Sequence, residues 1–462
     1  MNDSKTLRPW DWALLGAALL ACGLFFLTRQ DPFACFPGVG IPITYLGLSL
    51  FFVLYLRAQK RLCLSVESVF LSVLTLLLSA SYGLYARPDL ECLSLPVLMI
   101  LTVLSLFALS GRKDSLSARG LWLGFTGFCK GLFVSIPEPF RALGHASGRR
   151  IGLGLLGLLI ALPVLALVMV LLASADTMFA LWLSKLDIRL LDSEPLGKLI
   201  WTLILGLMLF SFLFTLAQPR EEASAPAMGP RIPSGLFRAT LVALVVIYAV
   251  FAYIQFRYLF SGAQGVPGGY AEYARRGFFQ LTVVSVLTLG IVLAVLYAAP
   301  SKGNNRLCAV VSALTVVIAA SAAWRMALYI QRYGLTLLRV LTLWGIAMIA
   351  LALVLSIVRC FHPFRLFRSI LALWLAAWVA LNLVNLDGAI ARWNVSAYVD
   401  GRLESLDAAY LCTFSPDALP VLNAYASDAH VAQTAQTLKE ELERIRPTSW
   451  YEWKLSWRHI EP

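Results

Sequence analysis

Between Trp10 and Leu27 the one charged residue is Asp11, and apolar runs of this kind recur along the chain. A helical run of about 20 apolar residues is as long as the hydrocarbon layer of a bilayer is thick. In lipid, every backbone N–H and C=O must be bonded inside the structure, which leaves helices or closed barrels. Barrel strands alternate apolar and polar residues, and these runs do not. The chain is therefore expected to be all-α, a polytopic α-helical integral membrane protein of about eleven transmembrane helices. Composition settles the solvent: 59% of the residues are hydrophobic and 14% charged, more apolar surface than a water-soluble core can hide.

The runs are Trp10–Leu27, Gly38–Leu56, Leu64–Tyr85, Leu93–Leu109, Ile151–Ala173, Leu199–Ala217, Phe237–Leu259, Phe278–Ala298, Leu307–Tyr329, Leu335–Val358 and Ile370–Leu386. Residues 1–217 form an N-terminal membrane region of about six spans, and residues 236–386 a second of about five. Between them, 218–235 is rich in Pro, Ala and Ser and reads as a flexible cytoplasmic linker. Residues 387–462 carry acids at intervals and no run of spanning length, so they are expected to form a small helical extramembrane domain.

The net charge of +12 would suggest nucleic acid in a soluble protein. Here Lys and Arg gather in short loops between spans, for instance Arg57, Lys60 and Arg61, which is the signature of cytoplasmic loops. The partner is the lipid bilayer, with no nucleic acid. The bias puts the N-terminus in the cytoplasm and the C-terminus outside. No small-residue cleavage site follows the first run, which reads as a retained span.

Smaller segments carry their own expectations. In the basic loop 111–150, the stretch 120–140 is broken by Lys130 and Pro137 and reads as an interfacial helix. Ser415-Pro416-Asp417 has the form of a helix start. Val431, Ala435, Leu438, Leu442 and Ile445 recur at helical spacing. Trp450, Trp453 and Trp457 stand at i, i+3, i+7, either packed on the tail's own helices or resting at headgroups.

No sequence motif identifies a catalytic residue, a metal site or a cofactor site. Gly152, Gly154 and Gly157 spell GxGxxG inside an apolar run, where close helix packing explains them. The four histidines have no metal-ligand spacing. Asn394-Val395-Ser396 matches a glycosylation acceptor. Cys35 and Cys92 fall in two loops placed outside, either as a disulfide or as two thiols.

Polar residues at the outer membrane edge form the candidate site. Arg257 ends one span. Tyr270, Tyr273, Gly277 and Gln280 share a helical face, with Glu272 and Arg276 at i, i+4 beside it. Arg325 and Arg332 recur along the end of the next span but one, and Arg339 opens the one after. Asn382 and Asn385 share a face of the last span, and Arg392 follows. Arginine is normally depleted on the outer side. Such an excess of cations calls for headgroups, tail carboxylates, or an anionic lipid or small-anion ligand.

The passages YAEYARRGFFQL, RMALYIQRYGLTLLRVLTLW, NLDGAIARWNVSAY and LDAAYLCTFSPDALPVL, with the ending WYEWKLSW, resemble bacterial multi-pass membrane proteins in the families labelled domain of unknown function 4153 and 4173. The likeness covers roughly Arg257 onward. It implies a bacterial inner-membrane location and brings no catalytic residue or cofactor. Three functions remain open: a non-enzymatic scaffold, receptor or envelope sensor whose C-terminal domain contacts a protein partner; a transporter or lipid-handling protein for an anionic substrate; and a membrane enzyme using Glu272 as general base.

Overall fold

The computed structural model describes residues 7–27, 38–112, 115–140, 194–218, 234–258, 270–447 and 449–460. At 194–196, 234, 236, 256–258 and 270–277 it describes the backbone alone. The described residues are helical, with no strand. Nine of the described helices are long and apolar enough to cross a membrane, or ten if one bent pair counts as a span. The expected span Ile151–Ala173, its GxGxxG and most of the linker lie outside the described residues. The chain divides into two compact units: Met1–Glu221 with Arg446–Trp457, and Glu222–Ile445 with Arg458–Pro462.

In the first unit the spanning helices are α1 (Pro9–Leu27), α2 (Gly40–Ala58), α3 (Val66–Leu84), α4 (Pro88–Leu109) and α6 (Glu194–Ala217). Leu14 and Ala18 of α1, Phe52 and Leu56 of α2, Phe107 of α4 and Phe210 and Leu213 of α6 share one core. Their i, i+3, i+4 spacing turns a stripe of each helix inward. Asp11, the acid of the first run, is buried and accepts the Tyr55 hydroxyl at 2.6 Å. At one end of this unit the Cys63 amide donates to Leu109 O at 2.9 Å, and Arg61 donates to Ala217 O. That end therefore gathers Arg57, Lys60 and Arg61, the close of α2 and the approach to α3.

Helix α5 (Ala118–Val134) lies at the same end. Its approach is fixed by the Leu116 amide on Glu67 Oε1, at the start of α3. Its exit is fixed by Ser135, whose amide donates to Ser211 Oγ and whose hydroxyl bonds Thr215 in the last turns of α6. Both ends thus sit in one layer, and Trp122, Phe125 and Phe133 face outward. At 17 residues α5 is shorter than the helices of spanning length. Gly131 lets α5 approach α6: a Cβ there would lie 3.1 Å from the Phe212 ring.

In the second unit α9 (Lys302–Tyr333) is central, packed by α7 (Ser234–Tyr258), α8 (Tyr270–Ala298) and α10 (Leu337–Phe361). Its 32 residues make a rod of about 48 Å, longer than the hydrocarbon layer, so both polar ends clear it. Cys308, Val311, Ile318, Ala322 and Met326 run down its buried side.

The last run does not continue as one straight helix. Helix α11 (Leu366–Asn382) ends, and α12 (Leu386–Val399) leaves at 65°. Asn385 becomes the cap of α12, its side chain accepting the Gly388 amide at 2.9 Å. Asn382 and Asn385 therefore do not share a helical face.

From α12 the chain builds a helical head. It contains α13 (Ala408–Leu411), a 3-10 turn at Pro416–Ala418, α14 (Leu419–Ala424) and α15 (Ala429–Arg444). Val431, Ala435, Leu438 and Leu442 are buried as expected, but Ile445 is 68% exposed because α15 ends before it. The tryptophans do not form a helical stripe. Trp450 and Trp457 fall in two 3-10 turns, Trp450–Glu452 and Leu455–His459, with Trp453 between them; Trp450 is exposed and Trp457 buried.

Candidate functional site

The proposed arginine site falls in the second unit. Arg325 is 5% exposed, and its Nη2 lies 3.4 Å from Gln255 Oε1, which also accepts the Ser321 hydroxyl at 2.8 Å. Ser321 and Arg325 stand at i, i+4 on α9, so one face of the helix presents both to α7. The Gln255 amide oxygen gives the buried guanidinium a dipole in place of water. Two turns further on, exposed Arg332 reaches Glu404 of the head at 2.5 Å. Arg339 closes the end of α9: its Nη1 donates to the carbonyls of Tyr333, at 2.8 Å, and Gly334, and its guanidinium covers the Tyr329 ring at 4.6 Å. Those carbonyls belong to a helix end that has run out of amide partners, so a cation is favoured there.

The same turn is held from the head. Asn394 accepts the Leu335 amide at 2.7 Å and donates to the Leu335 carbonyl at 2.8 Å. The Tyr410 hydroxyl accepts the Leu337 amide at 2.8 Å. Gly334 stands at φ +80° with Asn394 Oδ1 2.9 Å from where a Cβ would be, so a side chain is excluded twice over. Asn394 is buried and engaged at both polar atoms, which leaves no amide free for a glycan.

Asn382 donates to Trp378 O in its own helix at 2.9 Å. Arg392 is exposed on α12. Arg257 sits in the last turn of α7, and Tyr270, Glu272, Tyr273 and Arg276 in the first turns of α8; their side chains lie outside the described residues. The structure thus brings Arg332 and Arg339 to the α9–α10 turn and sets Arg325 against α7.

A second polar cluster was missed from sequence. In the first unit, at the end opposite Arg61, Glu91 opens α4 and is buried. Its Oε1 accepts the Arg87 amide at 3.0 Å and Lys454 Nζ at 2.5 Å. Among the described residues, its Oε2 is buried with no hydrogen-bond partner. Tyr82 donates to the Glu91 carbonyl at 2.9 Å, and Arg87 lies over Tyr85. An acid at a helix N-terminus is favoured by the dipole, but nothing local announces Lys454, which is 363 residues away. The traces in the sequence are the paired glycines Gly38 and Gly40 before an apolar run. They make room for Trp453 and Tyr451. Cys92 beside this cluster is exposed; its pairing with Cys35 lies outside the described residues.

Among the described residues, no group of three His, Cys, Asp or Glu is placed to hold a metal ion. In comparisons with known proteins, no curated protein and no solved structure matches the chain. One family model does, over residues 72–425. The match starts inside α3, runs through both units and ends just after α14, so the chain belongs to the family described as domain of unknown function (DUF4153).

Proposed function

We propose that this membrane protein is a non-enzymatic receptor or envelope-sensing scaffold of the bacterial inner membrane, with the N-terminus cytoplasmic and the head outside. The observation that carries the reading is the head's grip on the α9–α10 turn through Asn394, Tyr410 and Glu404. A folded head fixed to a membrane helix pair can pass a contact made outside to the spans. Its outer face is polar: Gln436, Lys439, Glu440 and Glu443 of α15 are exposed while the opposite stripe is buried. Arg57, Lys60 and Arg61 at one end of the first unit support the orientation.

The test is a photo-crosslinking residue placed at Gln436 or Glu440 in the full chain, in native membranes. A discrete envelope-protein adduct is expected, lost when Glu440→Arg and Glu443→Arg are combined without any change in thermal stability. The absence of any specific adduct from either position would overturn the reading.

One observation favours a second reading, transport or handling of an anionic lipid. Arg325 is a buried cation within a membrane span, and such residues are costly in lipid and tend to serve function. Reconstituted vesicles carrying wild type or Arg325→Ala should then differ in uptake of an anionic lipid; equal uptake rejects it.

A further inference from the structure

The segment 449–457 is bound to the first unit as a peptide is bound to a receptor. Tyr451 is fully buried, and its hydroxyl meets Thr44 Oγ1 at 3.1 Å. The Val39 amide donates to Trp453 O at 2.9 Å. Lys454, 4% exposed, pairs with Glu91. A methyl group at Gly38 would overlap the Trp453 carbonyl, and one at Gly40 would overlap the Tyr451 ring. The groove is thus carved from backbone, with an aromatic slot at Gly40 and an acid at Glu91.

The fit is incomplete. Among the described residues, Glu91 Oε2 and Ser456 Oγ are both buried without hydrogen-bond partners, and each such group carries a desolvation cost. Trp450 and Trp453 remain 57% and 37% exposed. The segment has two short 3-10 turns and no longer element of its own.

From this we infer that the groove at Gly38, Gly40, Thr44 and Glu91 is a peptide-docking site, held shut in cis by the chain's own Tyr451–Lys454 segment. Its external ligand is an extended polypeptide presenting an aromatic residue three positions before a lysine. The buried Glu91 selects the cation, since an uncompensated charge there is expensive. The open space over Gly40 selects the aromatic ring. The inference rests on the receptor reading and supplies its ligand class. Gly38, Gly40 and residues 446–457 lie outside the family match at 72–425, whereas Glu91 lies within it.

The experiment uses the full chain in nanodiscs. Two quantities are read: hydrogen exchange of residues 450–457, and binding of a fluorescent synthetic peptide with the sequence of residues 446–460. Wild type is expected to protect its segment and bind no peptide. Lys454→Glu, or the milder pair Tyr451→Ala with Lys454→Gln, is expected to exchange at least tenfold faster and to bind the peptide saturably. Gly40→Leu is expected to release the segment yet bind nothing. Glu91→Lys combined with Lys454→Glu should restore protection. If the wild-type segment exchanges as fast as in the variants, or if neither tail variant binds the peptide, the inference is overturned. A negative peptide result together with a positive cross-link at α15 overturns it while leaving the receptor reading in place.

Discussion

Asn394 spends both polar atoms on Leu335, so Asn394→Ala removes two hydrogen bonds from a half-buried turn. A loss of about 1–3 kcal/mol is expected, read as a lower melting temperature of the purified protein; an unchanged melting point would show that the turn holds without it. His459 offers a test by pH. Its Nε2 lies 3.6 Å from Asp417 Oδ1, too far for a hydrogen bond. Burial, and after it Arg458, hold the imidazole below its usual range. The unfolded chain therefore takes up the proton first. Stability is unaffected by this group above about pH 7 and falls as the pH drops through the unfolded value near 6.5. His459→Gln should lose less stability than wild type between pH 7.5 and 5; parallel curves would refute this. Single residues were the least legible part of the sequence. Arg339 reads as one more outer cation, but its role depends on carbonyls that a left-handed glycine turns toward it.

Helix α5 was legible as a short helix because Lys130 and Pro137 interrupt an otherwise apolar stretch, and the helix ends at Val134 after 17 residues. Its seat against α6 depends on Gly131, and Gly131→Val forces a methyl into the Phe212 ring. Overpacking of this kind costs about 1–3 kcal/mol. Faster hydrogen exchange is expected along 118–134, with α1 and α2 unchanged; equal exchange would mean that α5 is seated by other contacts. The bend between α11 and α12 was hidden for a physical reason. Asn382-Leu383-Val384-Asn385 contains neither Gly nor Pro, and its two central residues are apolar, so hydropathy runs through it. The stop comes from Asn385 capping the next helix, a side-chain choice that a hydropathy window does not register.

At the scale of the molecule, the membrane architecture is written in run length alone, since each backbone must satisfy itself in lipid and about 20 residues suffice to cross. The Glu91–Lys454 pair is not written there, because no local pattern links residues so far apart. Orientation is open to direct measurement. Cys63 and Cys92 are both exposed, Cys63 beside the basic end of the first unit and Cys92 beside Glu91 at the other. In intact cells a membrane-impermeant maleimide is expected to label Cys92 and to reach Cys63 only after permeabilisation. The reverse pattern would invert the topology.

The seat of Lys454 also has a consequence in time. A ribosome adding about 5–20 residues per second needs roughly 20–70 s to travel the 363 residues from Glu91 to Lys454. Throughout that interval Glu91 has been made without its lysine, and the slot at Gly40 without its tyrosine. Every newly made copy thus passes through a stage in which this surface is open to insertion factors and proteases, and translation itself sets how long that stage lasts.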